Sequence, residues 1–170
     1  MQRRTLLNLG IASAAALAFA GGGAALLYEP AWHNERLSEV GRGIVVAIAR
    51  GVLDGSLPVE PTSRQRALAG HLERMNTVLR NLPEPTQRQI GDLLALLATS
   101  PGRFALAGLD TAWAHASEAQ LQGALQSMRT SRLALRQQAY HALRDLTHAA
   151  YFADKDTWAQ LGYPGPNPLG

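Results

Sequence analysis

The sequence predicts an all-α fold, a single bundle of about five helices behind an N-terminal export segment, and three observations predict it. Apolar residues recur at spacings of three and four from Leu37 to Ala150, the period of helices that each bury one face. No stretch alternates β-branched and polar residues over a strand's length, so no sheet is expected. Proline and glycine interrupt the pattern at Leu57–Pro61, at Pro83 and Pro85, and at Ser100–Gly102, dividing it into helix-sized pieces. The 170 residues leave room, beyond the leader, for one domain with a core of its own.

The leader occupies residues 1–28. Arg3 and Arg4 stand directly before an uncharged, Ala- and Gly-rich run from Thr5 to Tyr28, the layout of a twin-arginine secretion signal. Ala18-Phe19-Ala20 offers a small-x-small cleavage site, yet the run is also long enough to span a bilayer as an uncleaved anchor. The twin-arginine route carries folded cargo. A chain exported this way without a cofactor motif of its own can travel with a partner that has one.

Residues 29–150 carry the bundle. Asn34 is the expected cap of a first helix with Leu37, Val40, Ile44, Ile48 and Val52 on its buried face, ended by Gly55. Beyond the Leu57–Pro61 linker, Thr62 or Ser63 caps a second helix whose inner side holds Ala67, Leu68, His71, Leu72, Met75 and Leu79. Thr86 and Gln89 have the spacing of a capping box before Ile90, Leu93, Leu94 and Leu97. Ser100-Pro101-Gly102 breaks the chain, and Phe104 to Trp113 reads as a short helix or an irregular connector. Ser117 and Gln120 form a second capping box, ahead of Leu121, Leu125 and Met128. The last long helix runs from near Ser131 to about Ala153, burying Leu135, Ala139, Leu143, Leu146 and Ala150. Tyr140, Thr147 and Tyr151 flank that stripe, so this helix is expected to touch two neighbours.

Residues 151–170 form an aromatic tail. Trp158 and Tyr163 are amphipathic rings suited either to folding back on the bundle or to meeting another protein. Pro164-Gly165-Pro166 fixes the backbone in an extended turn, which lowers the entropy lost on ordering against a partner.

Composition excludes several functions. Without cysteine the chain has no disulfide, no thiolate metal site, no cysteine nucleophile and no covalent haem attachment. The net charge is +3, but two of the 16 Lys+Arg are Arg3 and Arg4, leaving 14 against 13 Asp+Glu. The high pI therefore does not describe a nucleic-acid-binding surface. His141, Asp145 and His148 share one helix face and are the best candidate metal ligands, but that face lies opposite the apolar stripe, where ligands are solvated and poorly held. His71 falls on an apolar face and reads as a core residue. Arg129, Arg132, Arg136 and Arg144 make the stretch before the tail basic, as a solvated face or as a match to an acidic patch on a partner. No spacing marks a nucleophile elbow or a phosphate-binding loop.

Trp113, Leu125–Ser131, Ala139-Tyr140, Tyr151-Phe152, Trp158 and Gly162-Tyr163-Pro164-Gly165-Pro166, following a twin-arginine leader, resemble the small subunit (subunit 3 or gamma) of membrane-associated gluconate 2-dehydrogenase. The resemblance covers roughly Leu37 to Pro166 in layout, and its specific residues lie from Trp113 onward. It implies a non-catalytic subunit without a cofactor. Its partner would be an FAD-dependent large subunit of the glucose-methanol-choline oxidoreductase type, which oxidises a sugar, sugar acid or other alcohol, with a cytochrome c as a possible third member. The small subunit would support maturation and export of the flavoprotein through the twin-arginine translocase, in the periplasm or anchored to the inner membrane. Carried over by residue, export rests on Arg3 and Arg4, and docking on Trp113, Tyr151, Trp158, Tyr163, Pro164, Gly165 and Pro166. From the residues alone the rival is a free-standing periplasmic or membrane-anchored helical binding module. An enzyme would need a metal at His141, Asp145 and His148.

Overall fold

The computed structural model describes residues 30–162. A short hairpin precedes the helices: β1 (Trp32–His33) pairs antiparallel with β2 (Arg36–Leu37), Trp32 opposite Leu37 and His33 opposite Arg36. Asn34 and Glu35 form its two-residue turn at φ 49° and 59°. This corrects two expectations, the absence of any sheet and Asn34 as a helix cap. Asparagine tolerates positive φ as readily as it caps a helix, and two-residue strands are too short to show an alternation.

The first helix, α1 (Glu39–Val52), therefore starts later, with Ser38 accepting from the Gly41 amide. Val40 is exposed rather than buried. In α2 (Pro61–Arg80) the cap is Glu60, whose carboxylate oxygens accept from the Thr62 and Ser63 amides at 2.8 and 2.6 Å, with Pro61 in the first turn. Hydrogen bonds with the Ser63 side chain and the two amides, in that order, pull its pKa from 4.5 down to about 2. The next helix, α3 (Glu84–Ala98), begins at Pro83 without a side-chain cap, so the expected Thr86 and Gln89 box does not form. Gln87 ties that end instead, donating to the Leu82 carbonyl at 2.9 Å and accepting from the Trp32 indole at 3.3 Å.

The expected break falls at Thr99, in extended backbone, and Ser100-Pro101-Gly102 then opens a short helix, α4 (Ser100–Ala107), bent 103° from α3. Thr99 makes the corner: its hydroxyl donates to the Leu96 carbonyl and accepts from the Gly102 amide, both at 2.9 Å. A Cβ at Gly102 would overlap the Leu96 carbonyl oxygen, so only glycine fits there. Gly108, at φ 67°, ends α4. A 3-10 turn at Trp113–His115 leads to α5 (Glu118–Arg129), where the Ser117 and Gln120 capping box forms as expected. The last helix, α6 (Ala134–Phe152), is followed by a 3-10 stretch at Lys155–Leu161.

The described residues thus form an all-α bundle of six helices. Helix α1 packs on α2, α3, α5 and α6, and its Ile44, Val45, Ala47 and Ile48 meet Leu72, Met75, Leu79, Leu93, Leu94, Leu97, Leu121, Met128 and Leu143 in the main core. A second cluster at the far end of α1 joins Ala49, Leu53 and Leu57 to Tyr151.

Candidate functional site

Two of the expected docking aromatics lie inside the bundle. Trp113 is 5% exposed and its indole donates to the Leu97 carbonyl at 2.8 Å, filling one of the acceptors that the end of α3 leaves open. Tyr151 is 2% exposed, on the last turn of α6; its hydroxyl donates to the Ser56 carbonyl at 2.8 Å and its ring meets Phe152 edge-on. Trp158 is half-buried and folds back on the end of α6, its indole donating to the Phe152 carbonyl at 2.8 Å. Both tryptophans satisfy terminal helix carbonyls. Tyr163, Pro164, Gly165 and Pro166, like Arg3 and Arg4, lie outside the described residues.

The basic stretch does not act as one patch. Arg136 turns inward, donating to the Leu106 carbonyl and the Ser127 hydroxyl, each at 2.6 Å. Arg103, 7% exposed, donates to the Leu109 and Asp110 carbonyls. Together they place positive charge at the C-terminal end of α4, where the helix dipole favours it. Arg129 and Arg132 are exposed, and Arg144 pairs with Asp145 at 2.8 Å.

His141 and Asp145 are exposed, and His148 is half-buried with its ring 5.8 Å from Phe152. Among the described residues no three His, Asp or Glu side chains are grouped to hold a metal ion. His71 is fully buried 6.5 Å from the Tyr151 ring, and among the described residues neither of its ring nitrogens has a hydrogen-bond partner. Burial, then the charge of Arg74, lowers its pKa from 6.5 to about 4. Arg74 itself joins α2 to the end of α6, donating to the Ala150 carbonyl at 2.8 Å and pairing with Asp154 at 2.9 Å.

Two of the concavities among the described residues open beside α1. Between α1 and α2 an apolar groove of about 440 Å³ is lined by Val46, Pro61, Leu68, Ala69 and Leu72, with Arg50 and Arg64 among its walls. Arg64 is held by Glu118, whereas Arg50 makes no ion pair or hydrogen bond with another described residue through its side chain. The sequence signal for this groove is the widening of both stripes, by Val46 on α1 and by Ala69 beside Leu68 on α2. Between α1, α5 and α6 a second pocket, of about 330 Å³, is lined by Gly51, Val52, Gln122, Leu125, Gln126, Tyr140, Arg144 and His148.

Among the described residues no single helix is long and apolar enough to cross a membrane; α3 and α4 reach that threshold only together, across their bend. No protein-family model, curated protein or solved structure matches the chain.

Proposed function

We propose that the chain is a non-catalytic accessory subunit of a periplasmic or membrane-associated FAD-dependent sugar or alcohol dehydrogenase, supporting maturation and twin-arginine export of the flavoprotein. It carries no cofactor of its own, and a cytochrome c joins the complex where one takes the electrons onward. The observation that carries this reading is a twin-arginine leader at Arg3 and Arg4 on the same chain as the Trp158, Gly162-Tyr163-Pro164-Gly165-Pro166 ending. The open α1–α2 groove supports it: an apolar trough beside Arg50 suits a partner surface that presents an apolar side chain next to a carboxylate. Docking then falls to this groove, Trp158 and the Tyr163–Pro166 segment. Trp113 and Tyr151 contribute by fixing the bundle that presents them.

The test is affinity purification of the tagged full chain from the native host's membrane and periplasmic fractions, with mass spectrometry and a visible spectrum of the eluate. An equimolar flavoprotein with a flavin spectrum is expected, lost when the exposed groove residue is changed by Ala69→Arg and stranded in the cytoplasm by Arg3→Lys with Arg4→Lys. A partner still exported by the double-lysine variant refutes the hitchhiking role. The second reading, a free-standing helical binding module, is favoured by Trp113 and Tyr151, which the bundle buries within itself. A lone colourless protein from cells that express the dehydrogenase selects it.

A further inference from the structure

The pocket between α1, α5 and α6 is built from two facing rows of polar side chains over an apolar floor. Tyr140, Arg144 and His148 recur every fourth residue on α6, and Gln122 and Gln126 do the same on α5, so each row lines one wall. Gly51, Val52 and Leu125 form the floor. A Cβ on Gly51 would come within 2.7 Å of the Leu125 side chain, so glycine lets α1 and α5 close beneath the pocket.

None of the eight lining residues is acidic, and Arg144 is the one full cation among them. Its guanidinium sits 5.8 Å from the Tyr140 ring centre and is paired with Asp145, Nε and Nη2 both donating to a single carboxylate oxygen. Two of its five donors are used there. Gln122 bridges to Asp54 at 2.7 Å, which orients its amide at the rim. A guanidinium paired on one side with Asp145, two primary amides, one of them donating to Asp54, a phenol and an imidazole stand around an apolar floor, so unused N–H and O–H donors face the pocket beside the amide, phenol and imidazole acceptors.

We infer that this pocket binds a small organic carboxylate, with Arg144, Gln122 and Gln126 donating to its oxygens and its carbon skeleton lying on Gly51, Val52 and Leu125. His148 completes the donor set. Burial, then the neighbouring Arg144, lowers its pKa, so at neutral pH it is an uncharged imidazole with one N–H to give. The site is independent of the accessory-subunit reading, since it lies on the α5–α6 side of α1 rather than in the α1–α2 groove.

The test titrates the 15N-labelled full chain at pH 7 with succinate and, separately, with its uncharged isostere succinamide. Saturable shifts are expected with succinate alone, at the Gly51 amide, the Gln122 and Gln126 side-chain amides and the Arg144 Nε–H, with a millimolar Kd. Arg144→Gln should raise that Kd about tenfold or more while amide shifts elsewhere stay in place, and Gln126→Leu should raise it by a smaller factor. If the free anion fails to saturate these signals up to about 50 mM, if succinamide shifts them equally, or if Arg144→Gln binds unchanged, the assignment is overturned.

Discussion

His71 makes the stability of this bundle depend on pH in a window that can be worked out beforehand. Its folded-state pKa, about 4, lies below the ordinary 6.5 because an imidazolium would be enclosed without a partner and near Arg74. The unfolded chain therefore takes up the proton first. The neutral ring's contribution is complete above pH 6.5, shrinks as the pH falls below that value, and is exhausted near pH 4. A shift of that size corresponds to about 3 kcal/mol in all, of which about 2 kcal/mol is gone by pH 5. The assay is urea denaturation followed by helical circular dichroism at pH 7.5 and about pH 5, on wild type and on His71→Leu. Leucine has similar volume and removes two unsatisfied nitrogens, so the variant should be more stable at pH 7.5 by about 1 to 2 kcal/mol. It should also lose about 2 kcal/mol less than wild type between the two pH values. His148, whose pKa is lowered as well, and the remaining titrating groups are common to both proteins and cancel in that comparison. An equal pH dependence in the two proteins would refute the assignment of a buried, unpaired neutral imidazole.

Three further outcomes follow from particular contacts. Gly102→Ala should destabilise the chain by about 3 kcal/mol, because a Cβ there collides with the Leu96 carbonyl oxygen, which is backbone and cannot swing away; a denaturation midpoint at the wild-type value would show that the α3–α4 corner relaxes freely. Tyr151→Phe removes the hydroxyl that donates to the Ser56 carbonyl and should lower stability by about 1 kcal/mol, read from the same denaturation curves, with faster amide exchange around Ser56 and Leu57. Glu60 should titrate near 2 by carboxyl carbon NMR rather than near 4.5. Since its folded pKa is the lower one, its capping of α2 is complete above pH 4.5 and fades as the pH falls toward 2, so protection of the Thr62 and Ser63 amides should fall over that window in wild type and not in Glu60→Gln.

The sequence by itself determined the all-α class and the order of the long helices, because the recurrence of apolar residues every third or fourth position is a local property of a buried helix face. Leu93, Leu94 and Leu97 are buried where their spacing put them, and the Ser117 and Gln120 box closes as its motif predicts. It also assigned His71 to the core. Tertiary structure decided what depends on partners distant along the chain. Asn34 could cap a helix or turn a hairpin, and packing of Trp32 and Leu37 on the bundle selects the turn. Thr86 and Gln89 carry a valid capping box, but Pro85 holds the first turn and Gln87 finds its partners at Arg80, Leu82 and Trp32 instead. Arg136, one of four similar arginines in the sequence, is turned inward by the Leu106 carbonyl at the end of α4, 30 residues away, and by the Ser127 hydroxyl. The α1–α2 groove and the α5–α6 pocket exist only where helices diverge or meet. A concavity is a relation between elements: the widened α1 and α2 stripes supply its apolar walls, but only the docking of the helices decides that the space between them stays open.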